Sequence, residues 1–136
     1  MSIHICKISK EQTWKLRHEV MWPNKPIDFI KLPNDNNGIH FGLLKNNEVV
    51  SVVSLFIENE KAQFRKLATK ISEQRSGYGT KLLSYIMNQV KNQNVNMLWC
   101  NARVDKVSFY KKFDLIETNN TFSKENVDYV IMEKAI

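Results

Sequence analysis

Leu67-Ala68-Thr69-Lys70-Ile71-Ser72-Glu73-Gln74-Arg75-Ser76-Gly77-Tyr78-Gly79-Thr80 is the stretch on which the fold turns. An apolar strand pattern ends, a polar loop follows, and two glycines open a strongly amphipathic run. Leu82, Leu83, Ile86, Met87 and Val90 share one stripe, which predicts a helix over 77–92. The first N–H groups of a helix have no helical acceptor, and with the helix dipole they favour an anion. Gly77 and Gly79 lack a Cβ, so a diphosphate can approach the backbone, and Thr80 can add a hydroxyl. A P-loop needs Gly-x-x-x-x-Gly-Lys-Ser/Thr, which Gly77-Tyr78-Gly79-Thr80-Lys81 does not supply. A dinucleotide fold needs a third spaced glycine, and Leu82 stands there.

Working outward, Ile3 to Ile8 alternates as a strand, and Ser9 with Gln12 reads as a capping box. The helix it opens stops before Pro23. Pro26 to Leu32 is compatible with a short second helix, and Pro33 to Gly38 reads as a polar loop. Ile39 to Leu44 and Glu48 to Phe56 are strands joined at Asn46-Asn47, residues that tolerate positive φ. Ala62 to Thr69 is a fourth strand and Val95 to Asn101 a fifth. Lys106 to Phe113 reads as a short helix. Thr121-Phe122 and Val127 to Met132 close the chain as two antiparallel strands. The order implies a mixed α/β sheet with a parallel crossover near its middle.

The length of 136 residues fits one domain, 1–136. A net charge of +6 suits an anionic partner, although lysines that merely keep a protein in solution give the same figure. Cys6 and Cys100 sit in apolar runs without metal or redox spacing and are expected to be buried. Trp14 and Trp99 are expected in the core. No metal site is indicated. No apolar run reaches membrane-span or signal-peptide length, so the expected location is the cytoplasm.

The pattern Gln74-x-x-Gly77-x-Gly79, after a strand and opening a helix, resembles the pyrophosphate-binding motif of the GNAT superfamily of acyl-CoA-dependent N-acyltransferases. Leu67-Ala68-Thr69 is similar to that family's preceding strand end. Phe109-Tyr110-Lys111-Lys112-Phe113 is similar to its tyrosine-bearing helix, one strand later. The resemblance covers essentially the whole chain. It implies a mostly antiparallel mixed sheet, splayed between its fourth and fifth strands and flanked by about four helices. Two positions depart from the pattern. Asp114 stands where a glycine often follows the tyrosine helix, and Asp can adopt the left-handed cap. The fourth strand reads Gln63-Phe64-Arg65-Lys66-Leu67, with no glutamate to act as general base.

The resemblance implies acetyl transfer from acetyl-CoA to a primary amine, more readily that of a small molecule than of a protein. Pantetheine would bond to the backbone of Leu67 and Thr69, with an N–H near Leu67 or Ala68 polarising the thioester. Gln74, Arg75, Ser76, Gly77, Tyr78, Gly79 and Thr80 would hold the diphosphate, and Tyr110 would give a proton to the leaving sulfur. On the acceptor side stand Arg17, Trp22, Arg65, Asn101 and Arg103, a set that favours a carboxylate or phosphate on the acceptor. His18 and His40 are possible bases without an orienting partner visible in the sequence. Such proteins occur as monomers and as homodimers.

Two other readings stay open at this point. One is a non-catalytic acyl-CoA sensor on the same fold. The other is a nucleic-acid binder, prompted by the charge. Its cations are dispersed rather than clustered, and no stacking motif accompanies them.

Overall fold

The computed structural model describes residues 2–136. Ten regular elements form around one sheet: β1 (Ile3–Ile8), α1 (Lys10–Leu16), β2 (Ile39–Lys45), β3 (Glu48–Glu58), β4 (Lys61–Thr69), α2 (Tyr78–Val90), β5 (Met97–Arg103), α3 (Val107–Lys111), β6 (Ile116–Lys124) and β7 (Val127–Ala135). The seven strands lie in the order β1-β2-β3-β4-β5-β7-β6. Every neighbouring pair is antiparallel except β4–β5. That parallel pair is the one joined through α2, as a crossover requires.

Local chemistry accounts for the boundaries. Ser9 Oγ accepts from the Gln12 N–H at 3.3 Å, and Gln12 Oε1 accepts from the Ser9 N–H at 2.8 Å, so both halves of the capping box form. Asn46 and Asn47 have φ of 52° and 69°, the left-handed pair of a tight hairpin turn. Asp114 takes φ 67° in the turn two residues past the Lys112 cap of α3.

The stripe on α2 lies against one face of the sheet. Leu82, Leu83, Ile86 and Val90 are all 0% exposed, packed with Phe41, Val53, Leu55, Phe64 and Leu98. Each such side chain stabilises the fold by about 1.5–3 kcal/mol relative to exposure. α3 covers the same face farther along, with Phe109, Tyr110 and Phe113 against that cluster. On the opposite face Leu16 of α1 packs on Val52 and Ala68.

Among the described residues three α-helices flank the sheet, against the about four expected. The Pro26–Leu32 segment is a single 3-10 turn, Ile27–Ile30, and the first helix ends in a π turn, Arg17–Met21. Cys100 is buried as expected, whereas Cys6 is only half-buried. Trp14 and Trp99 are also half-buried. The Trp14 indole N–H donates to Asp35 at 3.2 Å. Trp99 borders a surface hollow beside Gln63. No helix among the described residues is long and apolar enough to cross a membrane.

The polar loop before β2 carries the second organising contact. Arg17 is 0% exposed and grips Asp35 with both terminal nitrogens, at 2.9 and 3.0 Å. Its Nη2 also donates to Ser54 Oγ at 2.8 Å, and its Nη1 to the Ile30 carbonyl at 3.2 Å. Asp35 accepts further from Trp14 and from the Leu32 N–H. Burial pushes the Asp35 carboxyl up, but the Arg17 and Leu32 hydrogen bonds outweigh it and hold it below its ordinary value.

A group whose folded pKa is lowered contributes stability above its unfolded pKa and loses it as pH falls through the folded value. Acid should therefore destabilise the wild type below about pH 4, with a shallower slope in Asp35→Asn. At neutral pH Asp35→Ala strands a buried guanidinium and should cost roughly 3–5 kcal/mol in urea unfolding.

Candidate active site

The site begins with a fault in β4. Phe64 packs in the α2-side cluster, whereas Ala68 packs with Leu16 on the other face. Residues four apart on a regular strand share a face. The parity changes because Val52 pairs with Ala68 but Ser54 with Arg65, so Lys66 and Leu67 together face Val53. This is a β-bulge, and Lys66 absorbs it at φ 60°. Such a φ is uncommon for a long side chain and costs about 1 kcal/mol.

Beside the bulge the sheet parts. β4 and β5 pair only over Lys61–Gln63 and Met97–Trp99. Beyond them, 64–69 and 100–103 diverge, leaving a cleft of about 960 Å³ between the two strands. Leu67, Ala68 and Thr69 form one wall, and Asn101 and Arg103 the other. The loop after β4 closes one end with Gln74, Arg75, Gly77, Tyr78, Gly79 and Thr80. Its backbone alternates into positive φ, with Arg75 at 67° and Gly77 at 80°. Gln74 Nε2 donates back to the Thr69 carbonyl at 2.9 Å, which ties the loop to the strand end.

The cofactor, acceptor and proton-donor residues singled out from sequence meet here with two exceptions. Ser76 is exposed and lies off the lining. Arg17 is the substantive correction: it does not reach the cleft, because Asp35, Ser54 and the Ile30 carbonyl consume its terminal nitrogens in the interior. Tyr78 reaches the cleft chiefly from its backbone end, since the residue is 5% exposed and packs with Leu43 and Val50. The histidines do have partners. His18 Nε2 lies 2.6 Å from the Lys25 carbonyl. His40 sits between Ser54 Oγ at 2.7 Å and the Asp35 carbonyl at 2.9 Å. Neither histidine lines the cleft.

Tyr110 enters from α3 with its ring against Phe64 and Phe109, at 5.7 and 5.2 Å between centroids. Burial, reinforced by the nearby Cys100 thiol and partly offset by Arg103, raises its pKa above the usual phenol range. Burial pushes the Cys100 thiol up to about 12.

Sequence reasoning missed part of the acceptor end. Lys66 and Lys124 both line the cleft, as do Phe29, Phe122 and Tyr129. Trp22 lies under Arg103, whose guanidinium carbon is 5.4 Å from the indole centroid. The only carboxylate on the lining among the described residues is Glu73, and Lys45 Nζ holds both of its oxygens at 3.0 Å. No local sequence signal marks Lys66, because the bulge arises from packing on both faces of the sheet.

Do these residues fit acetyl-CoA? A Cβ built on Gly77 would meet nothing within 4 Å, so the loop presents open space to its ligand side. Its backbone curvature and flanking N–H groups suit a diphosphate. The unpaired edge of β4 suits the amides of pantetheine. Gly77→Trp should fold, with a modest strain from its φ, and weaken acetyl-CoA binding by roughly a hundredfold or more in calorimetry. Gly77→Asn, which tolerates that φ, should keep measurable binding.

A family model for the acetyltransferase (GNAT) domain matches residues 8–136. A Bacillus subtilis protein described as the uncharacterised N-acetyltransferase YitI is 23% identical, covering 98% of this chain and 97% of its own. The ribosomal-protein-S18-alanine N-acetyltransferase of Escherichia coli superposes with a TM-score of 0.82 at 15% identity, covering 99% and 94%. A GNAT family acetyltransferase of Elizabethkingia anophelis, solved with acetyl-CoA bound, gives 0.78 at 16% identity, covering 98% of each chain. The splayed sheet and the loop at its mouth thus have the family match expected of them: this chain belongs to the GNAT acetyltransferase family and is an N-acetyltransferase that uses acetyl-CoA.

Proposed function

We propose that the chain folds as one catalytic domain that acetylates the primary amine of a small molecule by direct attack, with Tyr110 as the proton donor. The observation that carries this reading is the placement of Tyr110 on the cleft, with its ring against Phe64 just before the bulge. Acetyl-CoA, when bound, supplies an acetyl thioester, and transfer forms the new C–N bond as the C–S bond breaks. The amine loses a proton to water, and the departing thiolate gains one.

The residues of this chain have separable tasks. Backbone groups of Gln74 to Thr80 hold the diphosphate, and those of Leu67 and Thr69 align pantetheine along the open strand edge. An N–H freed by the bulge near Leu67 or Ala68 stabilises charge on the carbonyl oxygen. Tyr110 holds its proton at every working pH because burial raises its pKa. The same surroundings penalise a thiolate, as the rise of the Cys100 thiol to about 12 illustrates. Burial therefore disfavours the phenolate and a thiolate alike.

No acid on β4 is available as a base, and neither histidine lines the cleft. Deprotonation of the amine is therefore assigned to solvent. Tyr110→Phe should lower kcat by roughly 10²–10⁴-fold in a thiol-release assay with an amine panel. Its acetyl-CoA affinity should stay near the wild-type value by calorimetry. The wild-type kcat should show no loss from phenol ionisation up to about pH 10. Equal turnover by Tyr110→Phe would sink the proton-donor role.

A further inference from the structure

Four cations converge on the acceptor end of the cleft without a counter-charge. Arg65 and Lys66 come from the β4 bulge, Arg103 from the end of β5, and Lys124 from the end of β6. None of the four has a carboxylate partner among the described residues. Nearby acids are already engaged: Asp35 by Arg17, Glu125 by Lys25, and Glu73 by Lys45. The buried Nε of Arg103 has no hydrogen-bond partner. Its guanidinium carbon instead lies 5.4 Å from the centroid of the Trp22 ring. A buried guanidinium nitrogen without a partner is costly unless something else satisfies it.

We propose that the acceptor amine carries a carboxylate or phosphate, and that Arg65, Lys66, Arg103 and Lys124 bind this anion beside Trp22. The inference rests on the acetyltransferase reading above and names the chemical class of its acceptor. The cofactor's diphosphate does not account for the cluster. That group is assigned to 74–80, past the end of β4, whereas Lys66 lies three residues back along the strand, or about 10 Å. An acidic patch for a polyamine is the opposite of what the lining offers.

Lys66 provides a second signature. Burial, followed by the neighbouring charges of Arg65, Lys124, Arg17 and Arg103, lowers its pKa to about 8. The groups facing it are therefore cations from its own strand, from the π turn after α1, from β5 and from β6. Asp35 lies behind Arg17 and is committed to it. An anion placed among these cations favours the charged form of Lys66. Binding near pH 8 should take up a proton, and affinity should fall as pH rises above about 8.

The test uses matched amines on the full chain saturated with coenzyme A. The pairs are 4-aminobutanoate against butylamine, and 2-aminoethyl phosphate against ethanolamine. Calorimetry at pH 7 should show at least one anionic member binding roughly tenfold or more tighter than its neutral partner. The anionic pair member that gains more identifies carboxylate or phosphate as the preferred group. Repeating the titration near pH 8 in buffers of different ionisation enthalpy should reveal proton uptake. In Arg103→Gln with Lys124→Gln the preference should shrink to a few-fold.

Equal or tighter binding of the neutral members overturns the proposal. So does the absence of binding by both anionic probes at high millimolar concentration. These outcomes are read on the wild type and do not depend on the variants folding. A wild type that fails to bind acetyl-CoA at all would instead overturn the acetyltransferase assignment together with this one.

Discussion

A strand that must serve two cores cannot stay regular. β4 delivers Ala62 and Phe64 to the cluster under α2 and Ala68 to the cluster under α1. Only an extra residue between them can reverse the alternation, and Lys66 takes the strained conformation that supplies it. Phe64 and Ala68 are each 2% exposed, so neither end can relax the fault. Past that point β4 no longer tracks β5, whose Leu98, Cys100 and Ala102 remain bound to the core and to β7. The cleft follows from the packing demand on one strand.

A further part of the cleft lining is built from weaker material. Trp22 follows the π turn, Phe29 sits on a 3-10 turn and Leu32 on a loop, none of them on a regular element. Arg17 and Asp35 hold these pieces together through contacts to Ile30, Leu32, Trp14 and Ser54. Because Ser54 lies on the interior strand β3, the network anchors an irregular wall to the sheet. A hydrophobic substitute would bury as well but would not fix those backbone carbonyls and amides in one arrangement.

Much of this was legible before any coordinates. The helix after Gly77 is announced by its apolar stripe, and the parallel crossover by the strands flanking it. Asn46-Asn47 and Asp114 adopt the left-handed geometry their residue types permit. The acceptor end was less legible, for physical reasons. Arg17 resembles a site cation in a helix pattern, and its burial depends on a partner eighteen positions away in a polar loop. Lys66 resembles any exposed strand lysine, since the bulge that turns it inward is set by two cores at once. Trp14 and Trp99 show the converse, large rings that the local pattern sends inward but that border the surface instead.

Cys100 carries a consequence for chemical fidelity. A thiol beside a bound thioester is a ready competitor for the acetyl group, since transthioesterification needs no catalyst beyond a thiolate. With its pKa pushed up to about 12 by burial, Cys100 stays a neutral thiol at neutral pH. The apolar burial that makes it a core residue therefore also keeps the protein from becoming its own acceptor.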